Sequence, residues 1–277
     1  MDGIILIDKE KDVTSRDVVN KLNKILNTKK IGHTGTLDPI ATGLMVICVN
    51  KGCKLVELLT NHDKTYIATV LMGKRTDTYD VTGKVLEEKE YHVTKEDIEK
   101  TLQSFIGKYN QEVPIYSSIK VNGKKLYEYA RNNIEVTLPI HEVEIYSMEL
   151  LDFNDKTFSF KVSVSKGTYI RSLINDIGIK MNIPMTMQEL RRIKVGDFDI
   201  SNSKRVDDIN ESDIIPIKDS INIKKIDVKD PLLLKKINNG VKLELDYDDE
   251  YIMFINNNKC IGIYYKDNDY YRVYNLF

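Results

Sequence analysis

The sequence predicts an α+β protein: a large body of short apolar strands and amphipathic helices, followed by a small domain made of strands. Apolar runs at 3–7 (GIILI) and 44–49 (LMVICV) are too short for buried helices and fit buried strands. Apolar residues recur with helical spacing at 18–26 and again at 98–106. From about residue 206 the composition turns acidic and polar, and the closing stretch YIMFINNNKCIGIYYKDNDYYRVYNLF reads as short strands joined by Asn-rich turns. With 277 residues the chain can form two unequal domains, expected at 1–205 and 206–277.

In chain order, the first strand runs into Asp8 and Lys9, and Thr14 and Ser15 are N-cap candidates for a helix with Val18, Val19, Leu22, Ile25 and Leu26 on one face. The strand 44–49 leads to a short helix over 52–59. Lys64-Thr65-Tyr66 then opens a strand through Met72, marked by its Tyr, Ile, Thr and Val content. Residues 73–83, GKRTDTYDVTG, are turn-rich, and with no further ligand series Asp77 and Asp80 read as turn and cap residues. Thr94 with Asp97 opens a charged helix to about Ile106. Segments 134–152 and 157–165 alternate as hairpin strands do. They deliver the chain to SKGTYIR, where a glycine and then a helix place Arg171 in a first turn. A cation there opposes the helix dipole and calls for a local partner.

Residues 32–43 read GHTGTLDPIATG, a composition that no regular element needs. Glycine permits positive φ, and Pro39 fixes its own φ while pushing Asp38 out of the α region. The result is a shaped loop that presents Asp38, anchored by the strand that follows. An isolated Asp-Pro more often serves a turn.

The composition, 42% hydrophobic and 30% charged with no apolar run near membrane-spanning length, is that of a soluble globular chain. The start MDGIILIDKEKD resembles no secretory signal, so the expected location is cytoplasmic. Cys48, Cys53 and Cys260 lack CxxC spacing, and the four histidines lack HxxxH or HExxH spacing, so free thiols and no bound metal are expected. Net charge is −1, but residues 1–205 carry 31 Lys and Arg against 28 Asp and Glu, and the rest 10 against 14. A mildly basic body leaves room for a phosphate-binding groove.

The string GHTGTLDPIATG resembles the defining motif of the TruB family of pseudouridine synthases, which isomerise uridine 55 in the TΨC loop of tRNA. Further stretches are similar: Lys64-Thr65-Tyr66, QEVPIYSSIKVNGKKLYEYAR with Val113 in place of a consensus proline, SKGTYIR, and TMQELRRIKVGDF. The likeness covers residues 3 to about 200. It implies a pseudouridine synthase fold, with a central mixed, mainly antiparallel sheet flanked by helices, an RNA-gripping insertion at about 120–152 and a small C-terminal PUA-like domain. It also implies Asp38 as the essential carboxylate, Arg171 as its ion-pair partner, and Tyr66 as the ring stacked on the target uracil and candidate base for the carbon-5 proton. For RNA contacts it points to His33, Lys9, Lys64, Lys120, Lys124, Tyr127, Arg131, Leu190 and Arg192.

Such an isomerisation oxidises nothing and transfers nothing to a second molecule, so no cofactor is expected. One carboxylate suffices, as nucleophile or as base on a sugar proton. The expected partner is the TΨC stem-loop of tRNA, met by a monomer without protein partners or a membrane. Competing readings are an isomerase of ribosomal RNA, a guide-RNA-dependent relative, and a tRNA-folding chaperone without chemistry. Asp38, Tyr66 and Arg171 together argue against the last, since folding alone needs no such trio.

Overall fold

The computed structural model describes residues 1–277. The body contains strands β1 (Gly3–Lys9), β2 (Ile31–His33), β3 (Thr42–Val49), β4 (Lys64–Met72), β5 (Gly107–Glu112), β6 (Ile140–Phe153), β7 (Thr157–Val164) and β8 (Met185–Val195). Its helices are α1 (Ser15–Ile25), α2 (Lys95–Gln103), α3 (Leu126–Arg131) and α4 (Ile170–Met181). Both Thr-x-x-Asp signals are capping boxes. Thr14 accepts the Asp17 amide and Asp17 the Thr14 amide, and Thr94 and Asp97 repeat the arrangement at α2.

The strands form one sheet in the order Ile215–Pro216, β1, β3, β8, β4, β7, β6, β5. Every pairing in it is antiparallel except β3 with β8, which touch only at Arg191–Thr42 and Arg192–Gly43. That exception shapes the molecule. The edge of β3 that faces away from β1 is shared: β2 pairs with its end, Ile47 to Val49, and β8 with its beginning. The sheet therefore forks, and the connection from β2 to β3 lies at the mouth of the fork.

Gly43 makes the join possible. Its φ is +104°, and a Cβ there would stand 2.2 Å from the Arg192 carbonyl oxygen. Gly43→Ala is expected to cost about 2–4 kcal/mol from a strained φ plus a backbone clash, read as a lower denaturation midpoint. A wild-type midpoint would mean that the join is looser than this geometry.

The unbroken apolar runs of β1 and β3 follow from burial on both faces. Ile5, Ile7, Met45 and Ile47 enter the large core under α1 and α4, whereas Ile4, Leu6, Leu44 and Val46 face the other way. That second face is covered by Met253 and Ile263 of the C-terminal sheet. In β4 the pattern is one-sided, with Tyr66, Ala68, Val70 and Met72 buried and the residues between them half-exposed.

The C-terminal module is a four-stranded sheet, β9 (Lys224–Asp227), β10 (Tyr251–Asn256), β11 (Lys259–Asp267) and β12 (Tyr270–Leu276), with helix α5 (Pro231–Asn238). Its first strand begins later than the change in composition at 206. Between the two, Ile209 and Ile214 join the large core and Ile215–Pro216 extends the first sheet along β1. No helix is long and apolar enough to cross a membrane.

The stretch 120–152, expected as an insertion and, from 134, as one strand of a hairpin with 157–165, has two parts. Lys120–Val121 and Lys124–Lys125 form a small hairpin turning on Asn122 and Gly123, both at positive φ, and α3 follows. From Ile140 the chain is back in the sheet as β6, paired to β5 and β7, because Ile145 and Met148 are core residues. The protruding part ends near residue 139.

Candidate active site

At the fork a cleft of about 880 Å³ opens, lined among others by Leu37, Asp38, Tyr66, Tyr116, Ser117, Tyr127, Tyr169, Arg171 and Leu190. Its floor is the 34–41 loop, which is pinned along its length. Ser15 Oγ accepts the Leu37 amide at 2.9 Å and donates to the Leu37 carbonyl at 3.0 Å. The Asp38 carbonyl accepts the Ala41 amide, and the Pro39 carbonyl accepts the Asp12 amide. Asp38 is thus presented by a backbone with little freedom to move.

The Asp38 carboxylate meets Arg171 twice, with Nε 2.9 Å from Oδ2 and Nη2 3.4 Å from Oδ1. Such a forked pair fixes orientation as well as distance. The guanidinium, 7% exposed, also donates to the carbonyls of Thr78 at 3.1 Å and Tyr116 at 3.0 Å. Behind it stands Asp80, whose Oδ2 is 3.9 Å from Nη1. Asp80 itself accepts from Thr78 Oγ1, the Thr82 amide and Thr82 Oγ1. It therefore does the turn work that its sequence suggested and also adds a second negative charge beside the buried arginine.

Tyr66, 8% exposed on β4, and Leu190, 7% exposed on β8, put flat and aliphatic surface into the same cleft as Asp38 and Arg171. Two further tyrosines line it that sequence reading had given no role. Tyr169 precedes Ile170 at the start of α4, and burial raises the pKa of its phenol. Tyr116 follows Pro114 and Ile115 in the loop whose carbonyl holds Arg171. Their positions next to residues already singled out were the available signal.

The basic residues divide into two groups. Lys120, Lys124 and Arg131 are exposed on the hairpin and α3, and Tyr127 lines the cleft with Lys125 Nζ 5.4 Å and Arg131 Cζ 5.2 Å from its ring centre. Lys9, Lys64 and Arg192, also expected to contact RNA, are buried, Lys64 and Arg192 in the lining of the cleft. Lys9 Nζ donates to the carbonyls of Glu10, Val13 and Pro39. Lys64 Nζ donates to those of Thr60 and His62. Arg192, although on the cleft wall, gives Nε to Leu44 and Nη2 to Gly35. Each cation serves main-chain oxygens, most of them in loops and turns, and burial pulls the pKa of both lysines down to about 8. His33 ends β2 outside the cleft lining. Its Nδ1 is buried without a partner, and burial with nearby Arg192 and Arg16 lowers its pKa.

Lys9→Met keeps the stem and removes three hydrogen bonds. A loss of about 1–3 kcal/mol of stability is expected, with the salt dependence of tRNA binding unchanged. A phosphate-contacting lysine would lower that slope by about 1, so a changed slope would return Lys9 to the RNA side.

The fold is that of the pseudouridine synthases. It matches a chain of a crystallised Cbf5-Nop10-Gar1 complex with a TM-score of 0.73, covering 99% of this chain and 84% of that one at 22% identity. It also matches a chain of an H/ACA RNP bound to a substrate RNA containing 2'-deoxyuridine, with a TM-score of 0.70 over 98% and 83% at 22% identity. At such identities the likeness is one of fold. Sequence goes further: the profile described as TruB family pseudouridylate synthase (N terminal domain) matches residues 23–170. The chain is 40% identical to tRNA pseudouridine synthase B of Lactobacillus acidophilus over 98% of its own length and 97% of that protein's. Against the protein of the same name in Fusobacterium nucleatum it is 50% identical over 72% and 70%, and in Clostridium tetani 41% over 96% and 93%. This chain belongs to the TruB family of pseudouridylate synthases.

Proposed function

We propose that this enzyme converts uridine 55 in the TΨC loop of tRNA to pseudouridine, acting in the cytoplasm as a single chain. In this reaction the bond from N1 to the sugar breaks and one from carbon 5 to the sugar forms, while carbon 5 gives up a proton and N1 gains one. The target base must first leave its stack, which costs a few kcal/mol by general base-flipping estimates. Lys120, Lys124 and Arg131 on the protruding hairpin and α3 offset that cost by holding loop phosphates, with Tyr127 stacking at the cleft mouth. Inside, Tyr66 and Leu190 bracket the extruded pyrimidine. Asp38, oriented by Arg171, addresses the sugar or the base as nucleophile, or removes a sugar proton. The Tyr66 hydroxyl is the candidate base for the carbon-5 proton.

The observation that carries this reading is the forked Asp38–Arg171 pair inside a cleft walled by tyrosines and Leu190. The test is tritium release from tRNA labelled at carbon 5 of its uridines. Release is expected from a transcript with uridine 55 and not from one carrying cytidine there. A wild-type protein that binds and refolds tRNA without releasing tritium would be a chaperone, and release from the cytidine transcript would move the target elsewhere.

A further inference from the structure

Arg171 and Tyr169 reach the cleft from the start of α4, yet no side chain of that helix, nor of Tyr169 before it, caps this end. The restraint comes from the edge strand of the sheet. Gln111 on β5, 1% exposed, accepts the Tyr169 amide at 2.8 Å through Oε1. Its Nε2 donates to the Tyr169 carbonyl at 3.1 Å and to the Tyr109 hydroxyl at 2.5 Å. The same carbonyl accepts the Leu173 amide at 3.0 Å, so Gln111 grips the residue from which the first helical turn grows. Tyr109, two residues back and on the same face of β5, reaches Asp176 Oδ2 at 3.4 Å, farther along α4.

We infer that Gln111 is a positioning residue for uridine isomerisation: its side-chain amide fixes the Tyr169 main chain, and through it the direction from which Arg171 holds Asp38. The inference rests on Asp38 as the reacting carboxylate. A primary amide has two donor hydrogens and a carbonyl oxygen with two lone pairs, all in one plane, and here both donors and one lone pair are used on three partners. Two bonds to one main-chain residue set its orientation as well as its place. No other residue type of that length offers the set. A carboxylate would accept the Tyr169 amide but face the Tyr169 carbonyl oxygen, and leucine would leave the Tyr169 amide without its acceptor and the carbonyl with the Leu173 amide alone. Gln111 touches no substrate in this scheme. Its effect belongs in turnover and not in RNA affinity.

The test compares wild type, Gln111→Leu, Gln111→Glu and Tyr109→Phe by single-turnover conversion at saturating tRNA, with tRNA affinity and thermal melting measured in parallel. Gln111→Leu is expected to be slower by about 10²-fold and Gln111→Glu by about tenfold, the scale of an ångström-sized misplacement. For both, affinity should stay within about threefold, the mark of a loss confined to the transition state. Tyr109→Phe also removes buried hydrogen bonds and should melt lower, but it leaves the Gln111–Tyr169 pair in place and should turn over within about threefold of wild type. Gln111→Leu at the wild-type rate would overturn the inference. So would a Tyr109→Phe loss equal to that of Gln111→Leu, or a rate loss mirrored in affinity. If Gln111→Leu yields no folded protein, Gln111→Glu decides: a tenfold loss supports the inference and a wild-type rate ends it. Wild-type turnover in the same assay tests the underlying reading separately, so a silent wild type cannot be confused with an active variant.

Discussion

Asp38→Asn is expected to abolish pseudouridine formation, by at least about 10⁴-fold in single turnover, the scale on which loss of a nucleophile or essential base is felt. Asparagine preserves shape and can still accept from Arg171, so the loop and the fork should survive. It lacks the charge and nucleophilicity that either route requires. Binding of tRNA should hold within about threefold, because the phosphate-facing cations are on the hairpin and α3 and not at Asp38. Measured together, product formation and affinity separate the two roles open to this residue. Loss of both in parallel would make Asp38 a structural residue that merely shapes a turn.

Arg171→Lys should come next in size. The charge is kept, but the planar fork that spans both carboxylate oxygens and two carbonyls is lost. A point-charge ammonium can satisfy one side of that constellation at a time. Turnover should fall by about 10²- to 10³-fold as Asp38 loses its fixed direction. Stability should drop by about 1–3 kcal/mol, since the Thr78 or Tyr116 carbonyl loses its donor. Chemical denaturation and single-turnover kinetics check the two halves. More than a third of the wild-type rate in Arg171→Lys would mean that charge alone, and not the forked geometry, is what Asp38 needs.

Much of this site could be read locally because its shape is locally encoded. The glycines and Pro39 of GHTGTLDPIATG dictate a loop, and the two Thr-x-x-Asp boxes set the starts of α1 and α2. Asp38, Tyr66, Arg171 and Leu190 come together in one cleft as the resemblance implied. What sequence does not show is where the long cations point, because some of their partners lie far away along the chain. Lys9 finds the Pro39 carbonyl 30 residues on, and Arg192 finds Leu44 across 148. A lysine beside Asp, Glu and Lys looks the same in sequence whether its ammonium points to water or into a fork of the sheet. By contrast, the alternation over 134–152 and 157–165 did show a hairpin, and β6 and β7 pair as its two strands, with Ile145 and Met148 in the core. Gln111 opens the stretch QEVPIYSSIKVNGKKLYEYAR, so its place in that pattern was visible, but its partners depend on how β5 meets α4.

The C-terminal module has a bearing on how the enzyme can be dissected. Met253 and Ile263 lie on Ile4, Leu6, Leu44 and Val46, the back of the two strands that carry the reactive loop, and Ile215–Pro216 closes the outer edge of β1. A truncation after residue 205 would leave this apolar face with only Leu55, Leu59, Val195 and their neighbours of the body upon it, and would unpair the outer edge of β1 at Gly3 and Ile4, an arrangement expected to aggregate. Apart from any contact with nucleic acid, the acidic tail is therefore expected to act as a brace behind the strands that carry Asp38.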